Sequence, residues 1–165
     1  MADRVEVFTF KAGLLARLAH DLRLRVGRVE VRRTGPDTFE VAVRADSLRA
    51  ECAIRGGRPD FRALSARDLA DIDANTRKDV LHPDRHPWIR FQGRLVGGRV
   101  EGDLELHGRI APLSFAVTPS GGRVRGEVEF APSRWGIPPF TALMGAMKVQ
   151  DRVRVVFDVA APADG

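Results

Sequence analysis

Apolar and polar residues alternate along most of this chain, most sharply over residues 80–115. Ile89, Phe91 and Leu95 are separated by Arg90, Gln92 and Arg94. After Gly97-Gly98 the period resumes as Val100, Gly102, Leu104 and Leu106 against Arg99, Glu101, Asp103 and Glu105. A period of two marks a half-buried strand with one oily and one charged face, and paired glycines supply the positive φ angles of a tight hairpin turn. Gly108 breaks the run, and Leu113, Phe115 and Val117 begin another strand after Pro112.

The same reading extends to both sides. Residues 4–10 form a first predicted strand of mixed phase, with Val5 and Val7 opposite Phe8 and Phe10, so both faces are expected to be covered. Leu14, Leu15, Leu18 and Ala19 fall at helical spacing and predict a short amphipathic helix over 13–20. Leu22, Leu24 and Val26 then alternate, and Val29 and Val31 follow one step out of phase after Gly27, as at a bulge where a curved sheet turns a corner. Beyond the turn at 34–37, Phe39, Val41, Val43 and Ala45 share a phase, whereas 53–63 reads as irregular.

Ser65 with Asp68 marks the cap of a helix running to about Leu81, thinly apolar and mostly charged. Gly121-Gly122 introduces Val124, Gly126, Val128 and Phe130. Residues 140–149 form a short apolar segment, and 151–160 a last strand with Val153, Val155, Phe157 and Val159 inward. The expectation is one all-β domain over 1–165: a closed antiparallel barrel of about eight strands, with short helices as plugs or lids.

Composition narrows the function. An apolar fraction of 44% in 165 residues suits one buried core. No run approaches the roughly 20 apolar residues of a membrane-spanning helix, and the N-terminus lacks the order of a signal peptide, so the cytoplasm is the expected compartment. The lone Cys52 excludes an internal disulfide. The net charge of +5 is mainly arginine, since lysine occurs only at positions 11, 78 and 148. Those arginines lie at polar strand phases beside acids, without interleaved aromatics, which predicts a solvated exterior and no nucleic-acid partner.

Candidate chemistry is sparse. His20-Asp21 offers a base beside a carboxylate, and His82 and His86 stand four apart, but Pro83 and Pro87 interrupt a regular helix there and no Cys-x-x-Cys pair accompanies them. There is no Gly-x-Ser-x-Gly elbow, no phosphate loop and no histidine close to Cys52 in sequence. No catalytic residue, metal ligand or cofactor is assigned. His20 is expected to order the helix–strand junction, His107 to be a polar strand tip, and Cys52 to be a small buried group or a loop thiol.

The ordered set Ala19-His20-Asp21-Leu22, Asp46-Ser47-Leu48, a helix running into Val80-Leu81, His86-Pro87-Trp88-Ile89-Arg90-Phe91, Leu104-Glu105-Leu106-His107-Gly108 and Arg134-Trp135-Gly136-Ile137 resembles the YceI-like family over nearly the whole chain. Its most specific parts are the "yP-x-I-x-F" and "L-T-L-x-G" patterns, at His86 to Phe91 and Leu104 to Gly108. The resemblance implies a lipocalin-like barrel whose apolar interior binds a long isoprenoid or other amphiphile, without established catalytic machinery.

Beside that resemblance, a barrel of about eight strands either fills itself or encloses one slender molecule. Gly102 and Gly126 at inward phases are expected to leave space. Phe140, Leu143, Met144 and Met147 are spaced like one face of a helical lid. The expected cavity lining is Leu22 and Leu24, then Phe39, Val41 and Val43, then Phe91, Leu104, Leu106 and Phe115, then Val128, Phe130, Val155 and Phe157, with Phe140, Met144 and Met147 at the mouth. The leading expectation is a non-catalytic carrier for an apolar or isoprenoid-like small molecule. A filled barrel acting as an interaction factor and a metal-assisted enzyme using His20, His82 or His86 are the alternatives, and exposed edge strands leave a homodimer open.

Overall fold

The structure, a computed structural model, describes residues 2–13 and 19–162. The helix expected over 13–20 therefore falls largely outside the described residues. The strands are β1 Arg4–Ala12, β2 Asp21–Val26, β3 Val29–Arg33, β4 Thr38–Arg44, β5 Leu48–Arg55, β6 Arg58–Asp60, β7 Trp88–Val96, β8 Arg99–Leu106, β9 Arg109–Ser120, β10 Arg123–Phe130, β11 Thr141–Ala142 and β12 Met147–Ala160. Hydrogen-bonded neighbours follow the order β3-β4-β7-β8-β9-β10-β12-β1-β2-β5-β6, and β11 pairs with β12 off this path. Every pairing is antiparallel.

The all-β antiparallel architecture matches the periodicity, but the hydrogen-bonded order is a path of more strands than the eight expected and does not by itself close into a ring. The sheet curls as an open half-barrel of more and shorter strands, with β3 and β6 at its two ends. Corners divide the long strands. At Gly27, between β2 and β3, the backbone N–H donates to the Ser47 carbonyl at 2.9 Å, and a Cβ would stand 2.9 Å from that oxygen. A 3-10 turn, Ala45–Ser47, separates β4 from β5 at the same corner.

Two other expectations are corrected. Residues 53–63 are partly regular, because Gly56-Gly57, with φ of 58° and 77°, makes the same two-residue turn as Gly97-Gly98 and pairs β5 with β6. Residues 140–149 hold β11, a turn and the start of β12, which begins at Met147 and not at 151.

Helix α1, Ala66–Asn75, starts where the sequence placed it. The Asp68 N–H donates to Ser65 Oγ at 3.1 Å and the Ser65 N–H donates to Asp68 Oδ2 at 2.8 Å. The helical run continues to Leu81, as expected, but its last part is a π-helical turn, Thr76–Leu81, entered as the Thr76 hydroxyl donates back to the Ile72 carbonyl at 2.8 Å. Asp73 Oδ1 accepts the Ala50 N–H at 2.7 Å and ties the helix to β5.

Arginines organise the outer face. The outward Phe8 and Phe10 of β1 are covered by Arg154 and Arg152, whose guanidinium carbons stand 4.9 and 3.8 Å from the ring centroids. Arg23 reaches Glu6 at 3.1 Å and Glu51 at 2.8 Å. Where β10 meets β12, Asp158 accepts from Arg123 Nε at 2.6 Å and Arg125 Nε at 2.9 Å.

The hydrogen bond from Arg123 holds the Asp158 carboxyl below its ordinary range. A carboxyl whose folded pKa is depressed adds stability above its unfolded pKa and loses that contribution as pH falls through the folded value. Asp46, bonded by Arg44, and Asp68, bonded within the helix cap, act in the same sense. Urea midpoints measured from about pH 5 downward should therefore fall, and they should fall less steeply in Arg123→Gln.

Candidate functional site: an apolar cavity

Inward phases of neighbouring strands meet in register. Val128 of β10 lies opposite Val155 of β12, Val155 opposite Val7 of β1, and Val7 opposite Leu24 of β2. On the other side Val41 of β4 lies opposite Phe91 of β7, and Phe91 opposite Leu104 of β8. These side chains do not fill the space between them. They border one cavity of about 1050 Å³.

Leu22, Leu24, Phe39, Val41, Val43, Phe91, Leu104, Leu106, Phe115, Val128, Phe130, Phe140, Met147, Val155 and Phe157 all border that cavity. Met144 does not. It is fully exposed with φ 57°, in a 3-10 turn at 143–145, so the expected helical face of Phe140, Met144 and Met147 does not form. The pairing of Thr141 with Lys148 and of Ala142 with Met147 folds the segment into a hairpin and turns Met144 outward.

Nor do the inward glycines leave empty space. A Cβ at Gly126 would stand 2.6 Å from Phe157 Cζ, and one at Gly102 2.7 Å from Phe91 Cζ. Gly93 has the same role beneath Phe91 and Phe39, at 2.6 and 2.8 Å. The glycines let the rings approach the backbone closely. Phe39, Phe91, Phe115 and Phe157 then form a row with centroid separations of 6.1, 5.7 and 5.7 Å.

The alternation around the hairpins missed much of the lining. Val5, Val7 and Thr9 of β1 face inward, a phase visible in the sequence but masked by the arginine-covered Phe8 and Phe10. At one end the cavity is bordered by Lys11, His20, Asp68, Asp71 and Lys148. The far end is bordered by Pro36, Leu95 and Pro119. The helix residues Ile72 and Asn75 come into the wall through the docking of α1 on β5.

Catalytic candidates fare differently. Cys52 is 1% exposed and burial raises its thiol pKa, so the protonated thiol predominates near neutrality. His20 borders the cavity, whereas His82 and His86 lie outside it against His107. Among the described residues no three His, Cys, Asp or Glu side chains are arranged to hold a metal ion.

With this geometry in view, the family model described as the YceI-like domain matches residues 8–161. The chain belongs to the YceI-like family. No curated protein sequence is significantly similar to it. Among solved structures, this YceI-like chain is similar to BcnA of Burkholderia cenocepacia, at 14% identity over 94% of each chain with a TM-score of 0.62. It is similar to a polyisoprenoid binding domain from Saccharophagus degradans implicated in plant cell wall breakdown, at 10% identity over 97% of this chain and 94% of that one, TM-score 0.62. A CJ YCEI protein solved with a monobromobimane guest gives 9% identity, coverages of 84% and 81%, and a TM-score of 0.55. At these identities the likeness is one of fold.

Proposed function

We propose that this YceI-like chain is a non-catalytic carrier that holds one long apolar or amphiphilic molecule, an isoprenoid or other lipid, in its interior. The observation that carries the reading is the continuous cavity of about 1050 Å³ bordered by aliphatic and aromatic side chains from both halves of the sheet. Close-packed interiors hold few voids larger than a water molecule, and small-molecule sites occupy about 300–1,000 Å³. Burying about ten methylenes at about 0.8 kcal/mol each supplies on the order of 8 kcal/mol before association costs. The shared fold with a polyisoprenoid binding domain is consistent with this ligand class.

In this reading β2 with β3, and β4 with β5, act as two bent staves clipped by the Gly27–Ser47 hydrogen bond. Together with β7, β8, β9, β10, β12 and β1 they wall the interior like a barrel of about eight staves, a width suited to one slender ligand. Among the described residues no helix is long and apolar enough to cross a membrane.

Native mass spectrometry of protein purified from its own host tests the proposal. A co-purifying lipid, removed by organic extraction and restored by adding back the extract, is the expected result. Protein that emerges without ligand and takes up no long-chain probe would overturn it.

A further inference from the structure

Among the described residues four two-residue turns join neighbouring strands, and three of them are Gly-Gly: Gly56-Gly57, Gly97-Gly98 and Gly121-Gly122. The fourth, between β8 and β9, is His107-Gly108, with His107 at φ 53°. Another left-handed position, the residue ending the π-helical turn, is His82 at φ 48°. Glycine or asparagine suits both places better, so neither histidine is there for the backbone's sake. Their rings meet, with centroids 5.5 Å apart, and the His86 ring lies 4.6 Å from that of His107.

The surroundings of this cluster are cationic. Burial lowers the pKa of His107 most, and His86, His82, Arg85 and Arg109 lower it further. Asp84 is in the same loop but exposed. Arg85 and Arg109 form no ion pair among the described residues, whereas Arg23, Arg44 and Arg125 each reach a carboxylate. His107 Nε2 is buried without a hydrogen-bond partner. Arginines do not ligate metals, and the imidazoles do not converge on a metal position, so a cation has little to hold it here.

We infer that His82, Arg85, His86, His107 and Arg109 form a binding site for a phosphate-type dianion, whether free or carried on a lipid headgroup. Guanidinium and imidazole N–H groups are suited to its oxygens. The dianion also offsets the cationic surroundings of His107 and favours proton uptake there. The site is separate from the ligand cavity: Leu81 and Leu106, each preceding one of the histidines, border the cavity and form part of the wall between the two.

Titrating inorganic phosphate and sulfate into the full chain while recording imidazole resonances tests this. Saturable shifts at His82, His86 and His107 are expected. Sulfate remains a dianion throughout, so its affinity should rise as pH falls through and below the ordinary imidazole range, where His107, held low by burial, takes up its proton. Because asparagine accepts left-handed backbone, His82→Asn with His107→Asn should retain the wild-type urea midpoint yet bind phosphate about tenfold or more weakly, and Arg85→Gln with Arg109→Gln should do likewise. Vesicles of phosphatidylglycerol against phosphatidylcholine identify the source. Retention on the former that is lost in the His variants points to a headgroup, and phosphate binding without vesicle binding points to the free anion. No saturable shift, unchanged affinity in both double variants, or uptake of zinc with indifference to phosphate would overturn the inference.

Discussion

Replacing Trp135 by alanine should destabilise the fold by about 3–5 kcal/mol, read as a lowered urea midpoint with an unchanged slope. Trp135 is 0% exposed, its ring meets that of Phe130 edge-on at 5.0 Å, and its core neighbours include Leu104, Leu106 and Ile137. Its indole N–H donates to the Leu104 carbonyl at 2.8 Å. Truncation therefore opens a hole and removes a buried hydrogen bond together. Trp135→Phe separates the two effects, retaining most of the packing while losing the hydrogen bond at about 1–3 kcal/mol. Equal losses in the two variants would show that packing contributes little.

The second large effect concerns the waist of the cavity. Val7 and Val155 are cross-strand neighbours on β1 and β12, and both border the empty space. Changing both to phenylalanine should fill it and weaken binding of a long apolar fluorescent probe about a hundredfold, equivalent to about 2.8 kcal/mol. In a close-packed core such enlargements cost about 1–3 kcal/mol of stability apiece, but here the rings enter space already present, so the urea midpoint should change little. Marked destabilisation would mean that the interior is packed in solution. Unaltered affinity in a folded variant would place the probe elsewhere.

The strand phases were legible because most strands have one oily and one charged face. Leu104 and Leu106 face in and Glu105 faces out, as alternation requires. β6 was hidden because Arg58-Pro59-Asp60 carries no alternation, although Gly56-Gly57 before it was the same signal read correctly elsewhere. The Met144 reading failed because helical spacing over a few residues is a weaker constraint than strand pairing, and β11 pairs with β12. Whether the interior is open depends on the orientation of rings such as Phe91 and Phe157 above glycines, and the rank of Trp135 in the core depends on Leu104, a neighbour distant in sequence. The meeting of His82 and His86 with His107 likewise requires the turn between β8 and β9 to return beside the π-helical turn.

The position of β12 between β10 and β1 bears on the order of assembly. The meander β7 to β10 pairs each strand with its successor through two-residue turns, whereas β12 meets β1 by joining Arg4 to Asp158. Contacts between near neighbours close quickly, and those between distant segments carry a larger entropic barrier. Protection of β12 amides in pulse-labelled refolding is therefore expected to lag behind that of β8, and simultaneous protection would refute this order. A chain refolding in this sequence has an oily half-shell before it has an interior, so hydrophobic cargo encountered early would compete with β12 for the same surface.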